Sequence, residues 1–223
     1  MNHPLKNQAL KPANQLLNEP LPNDAKATLR PSRQQAKEAV KTLIAWAGDD
    51  PDREGMLETP DRVLKAYEEL FAGYGKDPKE IMGKKFEEIS GYDDIVLVRD
   101  IPFHTHCEHH MVPFFGLVHI AYLPHDGVVG LSKLVRLTNM FAKRFQTQEN
   151  LTAQIIDTLM DELKPQGAAI LVEAEHMCMS MRGVKTPGTK TITQRFAGTF
   201  KENTSEQDRF FALLAQKPTP GGR

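Results

Sequence analysis

The stretch His104-Thr-His-Cys-Glu-His-His-Met111 limits what this chain can fold into. It carries four of the eight histidines and one of only two cysteines. The other cysteine, Cys178, lies 71 residues later, in His176-Met-Cys-Met-Ser-Met-Arg182. Two distant segments of this composition read as two walls of one metal site, so the fold must bring them together.

Cys107 and His110 are three residues apart, and a tight turn can aim both at one ion. Cys178 completes a set of two thiolates and one imidazole. Three protein ligands leave the fourth tetrahedral position for water, the catalytic form of a zinc site. Thiolate and imidazole donors favour zinc over magnesium or calcium. The competing reading makes both cysteines packing residues and the histidines loop residues. Both cysteines lying beside histidines favours the metal, and two cysteines exclude a closed ribbon of four cysteines. His109 and His176 are left as non-ligands. Each suits proton transfer near neutral pH, or a structural place around the ligands. His104, His106, His119 and His125 have only proximity in their favour, and His119 reads as a packing or surface residue.

Charge nearly balances at −1 over 223 residues, so no global field points to nucleic acid or an anionic membrane. No apolar run resembles a signal peptide or a membrane span, which makes a cytoplasmic protein the expectation. In a reducing compartment, two cysteines favour metal or redox roles over a disulfide.

Residues 1–31 show no sustained period and read as a flexible tail. A helical region follows over 32–93. Its first helix places Ala36, Val40, Leu43, Ile44 and Ala47 on one face and stops at Gly48. Thr59-Pro60 opens a second, with Val63, Ala66, Tyr67, Leu70 and Phe71 apolar and Arg62 on its first turn. The main domain is expected over 94–216, with a short tail at 217–223. Ile95–Val98 is a β-rich run leading through residues 100–103 into the histidine-rich stretch, and 115–123 is the next strand. Ser132 can cap a helix burying Leu134, Leu137, Met140 and Phe141. After a break at 146–149, another buries Leu151, Ile155, Ile156, Leu159 and Leu163. Strands are expected at 168–175 and 189–197, then a short helix capped by Ser205. Helices grouped between two strand pairs favour α+β with an antiparallel sheet.

Lys133 and Arg136 share the start of one helix, and Arg182 follows Cys178 by four residues. Such cations suit a phosphorylated substrate, or simply form a solvated basic face. Glu149 can accept two N–H bonds from a guanine-like edge, or complement a helix N-terminus.

Several longer motifs carry a resemblance. Cys107-Glu-His-His110, Gly130-Leu-Ser-Lys-Leu134 with Arg136, Gln148-Glu149 before Leu151-Thr152, and His176-Met-Cys-Met-Ser-Met-Arg-Gly183 closely resemble GTP cyclohydrolase I. Thr59-Pro-Asp-Arg-Val63 also looks like a segment of that family, and the likeness spans roughly residues 35–215. It implies the tunnelling fold, an antiparallel four-stranded sheet with two helices on one side, preceded by N-terminal helices. It also implies a homodecamer of two pentamers with active sites at subunit interfaces. GTP would be hydrolysed and rearranged to 7,8-dihydroneopterin triphosphate and formate, the first step of folate and pterin synthesis. By resemblance Cys107, His110 and Cys178 are zinc ligands, with one Zn2+ per subunit. His176 is the proton donor, and His109 orients water or relays protons. Glu149 holds the guanine edge with Gln148 nearby, and Ser132 contacts the ribose. Lys133, Arg136 and Arg182 hold the triphosphate, with Arg62 arriving from a neighbouring subunit. Asn150 and Leu117 depart from residues common in the family, and neither is among these positions. The alternatives are an inactive zinc-binding module on the same fold, or a related pterin or deazapurine enzyme.

Overall fold

A computed structural model describes residues 30–83, 86 and 91–216. Most of the expected tail at 1–31, and all of 217–223, lie outside the described residues. Two compact units divide after Leu64. The boundary expected at 93/94 falls inside the second.

In the first unit, helix α1 (Arg33–Trp46) opens on a capping box. Ser32 Oγ accepts from the Gln35 amide, and Gln35 Oε1 accepts from the Ser32 amide. Lys37 and Arg33 both pair with Asp61. Within α1 no residue is buried; Leu43 is 64% exposed and Trp46 88%. Along its apolar stripe Ala36, Val40 and Ile44 are half-buried, while Leu43 and Ala47 are exposed. A 3-10 turn (Glu54–Met56) precedes helix α2 (Thr59–Leu70).

The second unit contains helix α3 (Pro78–Met82), strands β1 (Val96–Cys107) and β2 (Pro113–Leu123), helix α4 (Leu131–Ala142), strand β3 (Phe145–Gln146) and helix α5 (Gln148–Leu163). Strand β4 (Gly167–His176), helix α6 (Met177–Ser180), strand β5 (Lys190–Gly198) and helices α7 (Thr199–Glu202) and α8 (Thr204–Ala215) follow. The sheet order is β3-β1-β2-β4-β5. The four long strands are antiparallel neighbours, and β3 adds two residues in parallel to β1. This is the α+β tunnelling fold the resemblance implies. The fifth strand is additional, and two residues are too few to leave an alternation signal.

Alternation along the strands sorts the two faces. Val118, Ile120 and Tyr122 of β2, and Ala168, Ile170 and Val172 of β4, share one core with α4 and α5. That core contains all nine apolar residues expected from the two helices, Leu134 through Leu163. The intervening Ala121, Leu123 and Ala169 face the other way and pack with Phe200 of α7 and Phe210 of α8. The C-terminal helices therefore cover part of the second face.

Two local expectations are corrected. Gly130, not Ser132, is the N-cap of α4, so Ser132 lies inside the first turn. Asn203, not Ser205, caps α8, its Oδ1 accepting from the Ser205 amide at 3.0 Å. Residues 100–103 belong to β1. A bulge between Val98 and Ile101 puts Asp100 at φ 61°, and its amide donates to His119 Nδ1 at 3.1 Å. The bulge lets β1 run on to Cys107 in one piece.

Gly116 of β2 stands opposite Ala174 of β4. A Cβ there would lie 1.8 Å from the Glu173 carbonyl oxygen. Backbone must move to accommodate it. Gly116→Ala should lower stability by about 1–3 kcal/mol, the usual cost of overpacking. A denaturant midpoint equal to that of the parent protein would contradict this contact.

Candidate active site

The site is assembled by strand register. Cys107 ends β1, and β2 begins six residues later, with His106 opposite Pro113. Phe114 of β2 stands opposite His176, the last residue of β4. The turn after β1 and the segment after β4 therefore meet at one end of the sheet. Three hydrogen bonds fix that turn. The Cys107 amide donates to Val112 O at 2.9 Å, Met111 N–H to Cys107 O at 2.9 Å, and Glu108 N–H to Gln146 O at 3.0 Å. Met111 takes a positive φ of 56° to close it. Gln146 is buried, and its Nε2 donates to Phe141 O and Gln154 Oε1, each at 2.8 Å. The short strand β3 thus holds the metal-like turn against the helical layer.

Cys107 Sγ, the His110 ring nitrogen and Cys178 Sγ all lie within 4.8 Å of one another. Cys107 is buried, Cys178 half-buried and His110 exposed. Burial pushes the Cys178 thiol pKa up, and the neighbouring Cys107 adds to the effect, while Arg182 opposes it. Two adjacent thiols resist becoming two thiolates. A divalent cation between them removes that penalty, so the donor chemistry fits a metal. His109 Nδ1 is 3.4 Å from Cys107 Sγ.

His176 is held on two sides. Its ring stacks on Phe114 with centroids 4.4 Å apart and planes 7° from parallel. Its Nε2 is 2.8 Å from Gln148 Oε1. Burial lowers its pKa, and the nearby Glu149 carboxylate partly offsets this. Glu149 is exposed in the first turn of α5, whose N-cap Thr147 accepts from the Asn150 amide.

The structure thus groups Cys107, His109, His110, Gln148, Glu149, His176, Cys178 and Arg182. Ser132, Lys133 and Arg136 sit together on the first turns of α4, a different element. There Lys133 Nζ donates to the Met82 carbonyl at the end of α3, 2.6 Å away. Arg62 lies in the first unit and pairs with Glu58 one turn earlier. The Gln148 side chain faces inward, and the residue is 1% exposed.

Three contributors had no sequence argument. Phe114 lies just before the strand expected at 115–123, and Gln146 falls in the expected break. Glu175 reads as an ordinary strand carboxylate, yet its Oε1 accepts from Ser180 Oγ at 2.8 Å and from Gly188 N–H at 2.9 Å. It staples both ends of the exposed loop that carries Arg182. Three other histidines serve elsewhere. His104 stacks on Phe115, His106 packs against Phe71, and His119 accepts from the bulge.

An α+β fold with two thiols and an imidazole converging beside an anchored histidine defines a class of protein suited to metal-assisted hydrolysis. Comparison with known proteins makes the class particular. The model of the GTP cyclohydrolase I family matches residues 36–215. GTP cyclohydrolase 1 of Brucella canis is 57% identical over 185 residues, 83% of this chain and 87% of that protein. The Brucella suis and Brucella abortus proteins of the same name match equally. A solved archaeosine synthase, QueF-Like in the apo form, aligns with TM-score 0.40 at 12% identity over 47% of this chain and 93% of that one, too slight a likeness to argue from. The chain belongs to the GTP cyclohydrolase I family.

Hydrogen bonds from the Gly188 amide and the Ser180 hydroxyl hold the Glu175 carboxyl below its ordinary pKa. The folded value is depressed, so the staple is intact above the unfolded glutamate pKa and is lost as pH falls through the folded one. Glu175→Ala should therefore speed limited proteolysis within residues 181–189 at neutral pH. Cleavage there at the parental rate would show that the staple does not order the loop.

Proposed function

We propose that this chain converts GTP to 7,8-dihydroneopterin triphosphate and formate, with one zinc ion per subunit held by Cys107, His110 and Cys178. Three soft donors converging within 4.8 Å, two residues from His176, carry this reading. Two thiolates and an imidazole suit zinc, and three protein ligands leave one position open. When bound, the ion supplies Lewis acidity that lowers the pKa of the water adding to C8 of guanine.

The chain's own groups do the rest. His176 gives a proton to the ring nitrogen as the C8–N bond opens, and His109 orients water or relays protons. A second hydrolysis releases formate, and an Amadori-type rearrangement of the ribose precedes ring closure. Glu149 accepts N–H bonds from the guanine edge, and its place in the first turn of α5 favours the ionised form. Ser132 contacts the ribose. Lys133, Arg136 and Arg182 neutralise the triphosphate, with Arg62 from a neighbouring subunit.

The working form is a homodecamer of two pentamers, with sites shared between subunits. Its support is what one chain leaves uncovered. Strand β5 is a sheet edge with Ile192 58% exposed, and α1 presents Leu43 and Trp46 to solvent. Closing such edges between subunits hides unpaired backbone groups. Among the described residues no helix is long and apolar enough to cross a membrane. The proposed reaction would open folate or pterin synthesis in the cytoplasm.

Two variants test separate parts. Cys178→Ala should lose bound zinc and formate release together, and an active zinc-free variant would end the metal assignment. His176→Ala should retain zinc and the oligomer while formate release falls by about 10²–10⁴, the span typical of general acid–base catalysis. Near-parental turnover would remove His176 from the proton transfer.

A further inference from the structure

Gln148 offers substrate nothing in this structure. Its Nε2 donates to Val172 O at 3.1 Å and to Thr191 O at 3.0 Å. Two carbonyl oxygens can only accept, so the amide nitrogen must face them and the amide oxygen must face His176. That oxygen, 2.8 Å from Nε2, can likewise only accept. The proton of the imidazole is therefore on Nε2. The backbone of β4 and β5 thus sets the amide, and the amide sets the tautomer.

We propose that Gln148 is a positioning residue for His176 rather than a guanine contact. By keeping Nε2–H engaged, it makes Nδ1 the ring atom that carries protons in the reaction. Phe114 completes the arrangement by fixing the ring plane, with 7° between the stacked rings. Water adds to C8, the π pair of the C8=N bond moves onto that nitrogen, and the proton the water loses is taken up by the Nδ1 lone pair. As the other C8–N bond breaks, the pair on the first nitrogen re-forms the C=N bond, and the departing ring nitrogen keeps the broken bond's pair and receives the proton from Nδ1. Nδ1 recovers its lone pair, and Nε2–H never leaves Gln148 Oε1. An imidazole free to rotate would spend much of its time with the wrong nitrogen toward substrate.

This role depends on the GTP reaction proposed above, and a double-mutant cycle separates the two. Gln148→Met keeps the side-chain length but removes the acceptor and both donors. In the full-length, metal-loaded protein kcat should fall about 10–100-fold, the loss typical for partners that orient an active-site imidazole, with KM for GTP changed by no more than about twofold. Zinc content should be unchanged. In a His176→Ala background the same substitution should cost nothing further, because its target is gone. Gln148→Glu retains an oxygen acceptor for Nε2–H and should recover part of kcat; it carries the same cycle should the Met variant not fold. A raised KM with kcat preserved would make Gln148 a guanine contact and overturn the proposal. A full further loss in the His176→Ala background would also overturn it, by assigning Gln148 a general structural role. Absence of formate release by the parent protein, or near-parental turnover of His176→Ala, would instead strike the underlying reaction or the part His176 plays in it.

Discussion

The site depends on one register. Strand β2 pairs with the end of β1 through His106 and Pro113, and with the end of β4 through Phe114 and His176. Because the period of a strand is two, a slip of one residue would send every side chain to the opposite face. His176 would leave Phe114, and the core residues Val118, Ile120 and Tyr122 would turn outward. The register is locked by that core and by the close approach at Gly116. Bringing Cys107 to Cys178 across 71 residues is thus a by-product of burying the sheet's apolar face.

Around that frame, polar groups are arranged in relays that begin on backbone. Carbonyls of β4 and β5 orient Gln148, which orients His176. The carbonyl of Phe141 and the amide of Gln154 orient Gln146, whose own backbone receives Glu108. Glu175 gathers the Arg182 loop by its hydroxyl and amide donors. Each relay spares the reactive side chain from choosing among rotamers when substrate arrives. That is the usual gain from building a site on strands and helices rather than on loops.

Much of this was legible in the chain. The apolar periods of α4 and α5 located nine core residues, and the scarcity of cysteine made Cys107 and Cys178 partners. Periodicity failed where the structure breaks its own period. The bulge at Asp100 hid the continuity of β1, and β3 is too short to have a pattern. Caps were misassigned to Ser132 and Ser205 because glycine and asparagine just upstream serve as well. The apolar face of α1 was legible as a face, yet only part of it is covered, since periodicity reports a face and not its partner. The resemblance places Gln148 near the guanine edge, and nothing in the sequence signals that both ends of its amide are engaged.

The claim on which the rest turns is that two thiolates and one imidazole hold a single metal with one position left open. X-ray absorption at the zinc edge of the purified full-length protein tests it most directly. The account predicts two sulfur scatterers at about 2.3 Å, one nitrogen at about 2.0 Å and one oxygen at a similar distance. A shell without sulfur, or one closed by four protein donors, would contradict it.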